Sequence, residues 1–357
     1  MFEHLFPDES LPNLATETFS FTQGSSRVST RIENDDIVIS VPLARLPDGG
    51  KAVAALRFVL TKVSSPGQLF QPRLRGADVH LEFRDRLSRI NPVKMLEVLR
   101  RMPFAADSND DWLIGEFGAL PLERADINAL DDAEAARSDA IWRAHWHDVE
   151  ELLKESQRKR SMFFLNEVTA YALHRIRYVL PLGGFLGSRL SESSSTFNDS
   201  EQDPQRREAT LARCAKDMKA VSADELRKNL GHATYAISPH SDGTPSVLSQ
   251  YIGEGNYMTT VEQFKDSGKS FEAALGLIST YNYLLGRFSW PEAIEADLQA
   301  GLSQSSGKSW RDAANVLFEH ASELVAKFAD EQDEDGEEDD QDGDREVAGD
   351  AKEGEEQ

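Results

Sequence analysis

Eight histidines, one cysteine and two Gly-Lys-Ser triplets are the residues with which this chain could do chemistry. The triplets, Gly268-Lys269-Ser270 and Gly307-Lys308-Ser309, invite a phosphate-loop reading. That loop needs a further glycine five positions earlier, where Gln263 and Leu302 stand. Without it no ring of backbone N–H groups can cradle phosphate. The triplets are read as helix caps. Gly183-Gly184-Phe185-Leu186-Gly187 lacks the G-x-G-x-x-G spacing of a dinucleotide site, as does Gly253/Gly255, where the third position is Met258. No serine sits in G-x-S-x-G. His145 and His147 are two residues apart; on a helix their directions differ by about 200°, so they do not face one metal ion. Cys214 reads as a spectator thiol, because a reactive thiolate needs an activating neighbour. Asp110-Asp111 and Asp131-Asp132 read as turn and helix-start residues. No catalytic, cofactor or metal residue is therefore assigned. One segment stays open: 238–246 (SPHSDGTPS) puts His240, Ser241 and Asp242 in a loop, where a hydrolase or transferase site could be built.

Charge narrows the field further. The 357 residues hold 62 acids and 39 bases, a formal net charge of −23, which excludes a nucleic-acid binder that neutralises phosphates with a basic surface. A single cysteine excludes a disulfide scaffold. Residues 330–357 carry sixteen acids, two bases and no aromatic residue. Such a segment cannot bury enough apolar surface to offset its ordering entropy, so a disordered acidic tail is expected, solubilising or attracting a basic partner. The longest uncharged apolar stretch, 178–187 (YVLPLGGFLG), is half the roughly 20 residues of a membrane span. The N-terminus carries acids where a signal peptide carries bases, so the expected compartment is the cytoplasm.

The elements that must position any site read as α+β: an N-terminal antiparallel sheet with packed helices, then a mostly helical half. Residues 18–23, 27–33 and 36–43 alternate apolar and polar, separated by Gly24 and Asn34-Asp35-Asp36, which predicts three strands. Val53, Leu56, Leu60 and Val63 recur at helical spacing and predict an inward face. Residues 69–74 and 78–83 predict a hairpin turning at Arg75-Gly76-Ala77. Asn91-Pro92 opens a helix with Val93, Leu96, Leu99 and Met102 inward. Residues 110–117 are expected as a short strand.

Beyond residue 126 the pattern is helical. Trp142, Trp146, Val149 and Leu153 form one stripe, and Leu165, Val168, Ala172 and Ile176 another. Ser222–Glu225 and Ser289–Glu292 fit the S-x-x-E capping box. The 39-residue spacing of the Gly-Lys-Ser triplets suggests a helical packing unit with recurrent caps. The expected division is a module at 1–125, helices at 126–190, a flexible linker at 191–205, a helical domain at 206–329 and the tail. The basic run 157–160 reads as a solvated turn or a docking point for that tail. Trp142, Trp146, Phe163 and Phe164 are candidate partner-binding residues if exposed as a groove.

The order of helix 52–60, hairpin 68–87 and helix 91–102 resembles the small α+β module of type III secretion chaperones and YbjN-like proteins. The likeness covers about a fifth of the chain. It implies a non-enzymatic module holding an extended partner segment on apolar grooves and sheet edges. The first expectation is accordingly a chaperone or adaptor that binds another protein or peptide, possibly basic, with no cofactor. The alternatives are the 238–246 hydrolase or transferase, with a deep pocket at His240 or Asp242, and an acidic immunity-type or structural protein that neutralises a basic partner.

Overall fold

The computed structural model describes Phe6 and residues 12–63, 68–123, 128–198, 203–238, 240–253 and 255–328. The expected acidic tail at 330–357 lies outside the described residues. The period-two segments become strands with few-residue boundary shifts: β1 (Phe19–Gly24), β2 (Ser26–Glu33) and β3 (Asp36–Arg45). Two two-residue turns join them. Gly24 at the first has φ +66°, and Asn34 and Asp35 at the second have φ 50° and 65°, the left-handed pair that a tight hairpin demands. Pro42 interrupts β3 at a shift of register, where the missing N–H costs least.

Gly24 is also fixed by its neighbour. A Cβ there would lie 2.9 Å from the Asp107 carboxyl, which is held by the Ser25 N–H at 2.8 Å. Gly24→Ala is expected to cost about 1–3 kcal/mol, from the positive φ and the displaced carboxylate; a thermal melt checks it.

Helix α1 (Gly50–Lys62) follows, then β4 (Gln71–Arg75) and β5 (Asp78–Arg86), the expected hairpin, and α2 (Pro92–Phe117). The face predicted for α1 is wrong in part. Ala55, Val59 and Val63 are buried, while Val53 and Leu60 are 53% and 59% exposed. The helix carries two apolar stripes, and packing selects the one on which Phe58 also meets Trp112 of α2, rings 6.2 Å apart. The strand expected at 110–117 is instead the end of α2. Val98, Met102, Ala106, Asp110 and Leu113 keep one helical row buried, and Gly118 ends the helix at φ +70°. Of the face predicted for α2, Leu99 and Met102 are buried and Val93 is exposed.

Helix α3 (Asp132–Lys159) starts at the Asp131/Glu134 capping box. Then come α4 (Met162–Ala170), a π-helical segment (Tyr171–Arg175), α5 (Ile176–Val179), α6 (Gly184–Asn198), α7 (Pro204–Ala220) and α8 (Ala223–Lys228). Ser191 to Asn198, expected within a flexible linker, are therefore helical. The glycines 183–187 start α6: Gly184 at φ +60° leaves room for Asn229, whose Oδ1 accepts the Leu186 N–H at 3.1 Å. The short strands β6 (Asn128–Ala129) and β7 (Gly231–His232) pair, and β8 (Thr234–Tyr235) adds a sixth strand beside β1, giving the order β4-β5-β3-β2-β1-β8. Gln23 locks that edge, exchanging hydrogen bonds with both backbone groups of Ile237.

The chain divides into two units, 1–241 with 282–289, and 242–281 with 290 onward, rather than at 191–205. The second unit contains α9 (Pro245–Ile252), α10 (Asn256–Asp266), most of α11 (Ser270–Arg287), α12 (Glu292–Ser305) and α13 (Trp310–Lys327). Here the Gly-Lys-Ser triplets are helix junctions. Gly268 and Gly307 take φ +78° and +72° after α10 and α12, and Ser309 caps α13 through the Asp312 N–H. The capping box expected at Ser289 does not form: α12 begins after Pro291, and Ser289 Oγ instead lies 2.6 Å from Ser238 Oγ. Among the described residues no helix is long and apolar enough to cross a membrane.

Candidate functional site

A cavity of about 730 Å³ lies wholly within the first unit. Its walls come from α1 and α2 on one side, α6 on another, and the π segment, α5, the loop after β8 and the end of α11 on the third. The π segment gives this wall its form. Five residues wound as a π-helix insert a local widening into the α4–α5 run, a device frequent at functional sites. His174 within it and Arg177, three residues on in α5, both line the cavity. His174 lies edge-on to Tyr283, ring centroids 4.9 Å apart. Gly286 of α11 lies against Tyr178 and, with Arg287, lines the same cavity.

The charge of the lining is uneven. Lys62 and Glu192 neutralise each other at 3.0 Å. Arg177 and Arg287 have no carboxylate partner among the described residues, which leaves two uncompensated guanidinium groups facing one space. Burial holds the Arg177 pKa below its usual value, and the charge of Arg287 depresses it further. Yet both arginines have exposed surface. The two observations agree if the exposure is to the cavity itself, a concave space with dense protein behind it. Tyr235 does not offset the charge. Its hydroxyl donates to Asp107 at 3.3 Å, and burial, reinforced by Asp107, raises its pKa, so it stays neutral. The histidines stay neutral too. Burial, then Arg177 and Arg287, push His174 down to about 4 and lower His240, whose ring donates to the Arg287 carbonyl. The site can thus hold an anion between two arginines and offers neutral imidazoles as proton acceptors beside it.

The π segment is pinned from behind by His145. This histidine is fully buried, with Nε2 2.9 Å from the Ala172 carbonyl and Nδ1 3.1 Å from an Arg175 N–H. Those partners fix the neutral tautomer with its proton on Nε2, and burial pushes the group down to about 3. The unfolded chain takes up this proton near pH 6.5 and the folded chain only near 3. Stability from His145 is thus present in full above pH 6.5 and falls as the pH drops toward 3, by about 1.4 kcal/mol per pH unit. Urea denaturation at pH 7 and pH 5 measures the loss, and His145→Gln is expected to flatten it.

Of the residues singled out in the sequence, His240 reaches the cavity; of the triplet His240-Ser241-Asp242 it alone lines it. Trp142, Trp146 and Phe164 are correct as core and wrong as a partner groove. All three are fully buried, and Trp142 Nε1 donates to the Met218 carbonyl at 3.0 Å. Phe163 is half-buried. His145 and His147 diverge as expected, one buried and one exposed. His147 clusters with Glu150 and Glu151, but Lys219 and Lys154 already hold those carboxylates. Cys214 is buried, and burial raises its pKa, which disfavours the thiolate. A second cavity of about 670 Å³ beside the α3–α4 turn is lined by one base, Arg160, and one acid, Glu208, so its charges balance.

Arg177 and Arg287 were missed because 110 positions separate them and neither belongs to a local motif. The only signal was the sequence 174–177, which places a histidine and an arginine on one helical face. No protein-family model, curated protein or solved structure matches this chain.

Proposed function

We propose that the first unit binds a small anionic ligand in the cavity between Arg177 and Arg287. The observation that carries this reading is the pair of arginines without carboxylate partners among the described residues in one concave space, in a chain whose net charge is −23. Two guanidinium groups that repel each other across a partly desolvated space destabilise the fold unless an anion joins them. The fork geometry of arginine suits carboxylate and phosphate oxygens. The volume lies within the roughly 300–1,000 Å³ of small-molecule sites. Isothermal titration with inorganic phosphate and pyrophosphate tests it. Saturable binding that weakens with salt and is at least about tenfold weaker in Arg177→Gln supports the reading; equal binding by wild type and variant, or none, rejects it.

A second reading retains the holding of a partner segment. It draws support from α1, which leaves Val53 and Leu60 exposed seven residues apart on one face. The β4 sheet edge is the weaker route, because Pro72 interrupts it. Under this reading a partner retained by the wild-type chain is released by Leu60→Glu; retention by both excludes the face.

A further inference from the structure

The anion alone does not account for the rest of the cavity. A bare tetrahedral anion fills a fraction of about 730 Å³, and Phe58, Phe104 and Trp112 line the same space. Phe58 and Trp112 lie nearly parallel, 18° apart, and Phe104 keeps 37% of its surface exposed. Asn109 lines it too. Its side-chain N–H donates to the Ala105 carbonyl at 2.7 Å, and its Oδ1 accepts no hydrogen bond from the described residues, so it can receive one from a ligand. The charge requirement points the same way. Once Lys62 and Glu192 cancel and the histidines are neutral, the lining carries two positive charges. A phosphate monoester supplies about −1.5 to −2 at pH 7, whereas a single carboxylate balances one arginine only.

Resting on the anion-binding reading above, we infer that the ligand is a phosphate monoester of a planar heteroaromatic compound, a nucleoside monophosphate in class. Its phosphate sits between Arg177 and Arg287, and its ring lies against Trp112 and Phe104 with Asn109 at its edge. Rings stack on aromatic side chains with little regard to substituents, and arginine forks take phosphate oxygens; this cavity is lined by both. The phosphate loop excluded at the Gly-Lys-Ser triplets plays no part, since neither triplet lines the cavity.

The test is calorimetric titration of the full chain with four probes: adenosine 5′-monophosphate, adenosine, glycerol phosphate and inorganic phosphate. Adenosine 5′-monophosphate is expected to bind at least tenfold more tightly than the other three, within the roughly 5- to 150-fold that one stacked ring contributes. Trp112→Leu is expected to abolish that preference while leaving glycerol phosphate affinity unchanged. Phe104→Leu, at a partly exposed position, is expected to reduce it in a chain whose melting temperature is unaltered, which guards against a Trp112 variant that fails to fold. Arg177→Gln is expected to weaken binding of all phosphates by roughly 10- to 150-fold. Equal affinity for adenosine 5′-monophosphate and glycerol phosphate, both weakened to that extent in Arg177→Gln, would overturn the ring assignment and leave the anion site standing. No binding of any probe would overturn both.

Discussion

Replacing Arg177 by glutamine is expected to weaken anion binding by roughly 10- to 150-fold, the range set by losing a charge-assisted hydrogen bond of about 1.5–3 kcal/mol. The same substitution is expected to leave the ligand-free protein as stable as the wild type or slightly more so. Arg177 has no carboxylate partner among the described residues, and its guanidinium is destabilised by burial and by Arg287. Removing its charge relieves repulsion without orphaning a carboxylate. The two signs together are diagnostic: a structural arginine would lose stability when neutralised, and this one loses only the ligand. Calorimetry gives the affinity, and urea denaturation without ligand gives the stability. A second consequence concerns His174 and His240. Both are lowered in part by the two arginines, so neutralising either arginine is expected to raise their pKa values, readable by NMR titration of the imidazole protons.

The largest stability effect is expected at Trp142. Truncation to alanine should cost about 3–5 kcal/mol in chemical denaturation. The side chain is fully buried, packs edge-on to Trp146 at 5.5 Å, and its N–H satisfies the Met218 carbonyl. Alanine leaves a large cavity and removes one of the two hydrogen bonds at the Met218 carbonyl, which keeps the Val221 N–H at 3.3 Å. Trp142→Phe keeps most of the volume and loses the hydrogen bond, so about 1–2 kcal/mol is expected there. The difference between the two variants separates packing from hydrogen bonding. A loss below 1 kcal/mol for the alanine variant would restore Trp142 as a surface residue and with it the partner groove that its burial now excludes.

The hairpins were legible because β1, β2 and β5 alternate with period two and each turn carries its own residue chemistry: Gly24, Asn34-Asp35 and Gly76. The helix start at Asp131-Asp132 and the cap at Ser222, whose hydroxyl accepts the Glu225 N–H, were equally local. Errors arose where two patterns shared one segment. Helix α1 bears two apolar stripes, and nothing within residues 50–63 ranks Ala55/Val59 above Val53/Leu60. Segment 110–117 is short enough to read as a strand until the row running from Val98 to Leu113 is seen to continue through it. Serine-rich 191–198 looks like a linker, yet Ser191, Ser193 and Thr196 turn their hydroxyls onto carbonyls four residues back and stay helical.

By itself the sequence determined the α+β class, the hairpin turns and the helix caps at Asn91 and Ser222, because each rests on neighbours within a few residues. Tertiary structure alone decided which face of α1 is buried, that β8 completes the sheet from 200 residues away, and that Arg177, Arg287, His174 and His240 line one cavity. Those outcomes depend on packing and on charge balance between distant segments. An arginine carries the same symbol whether a carboxylate answers it or not, and only the fold reveals that no described carboxylate answers these two.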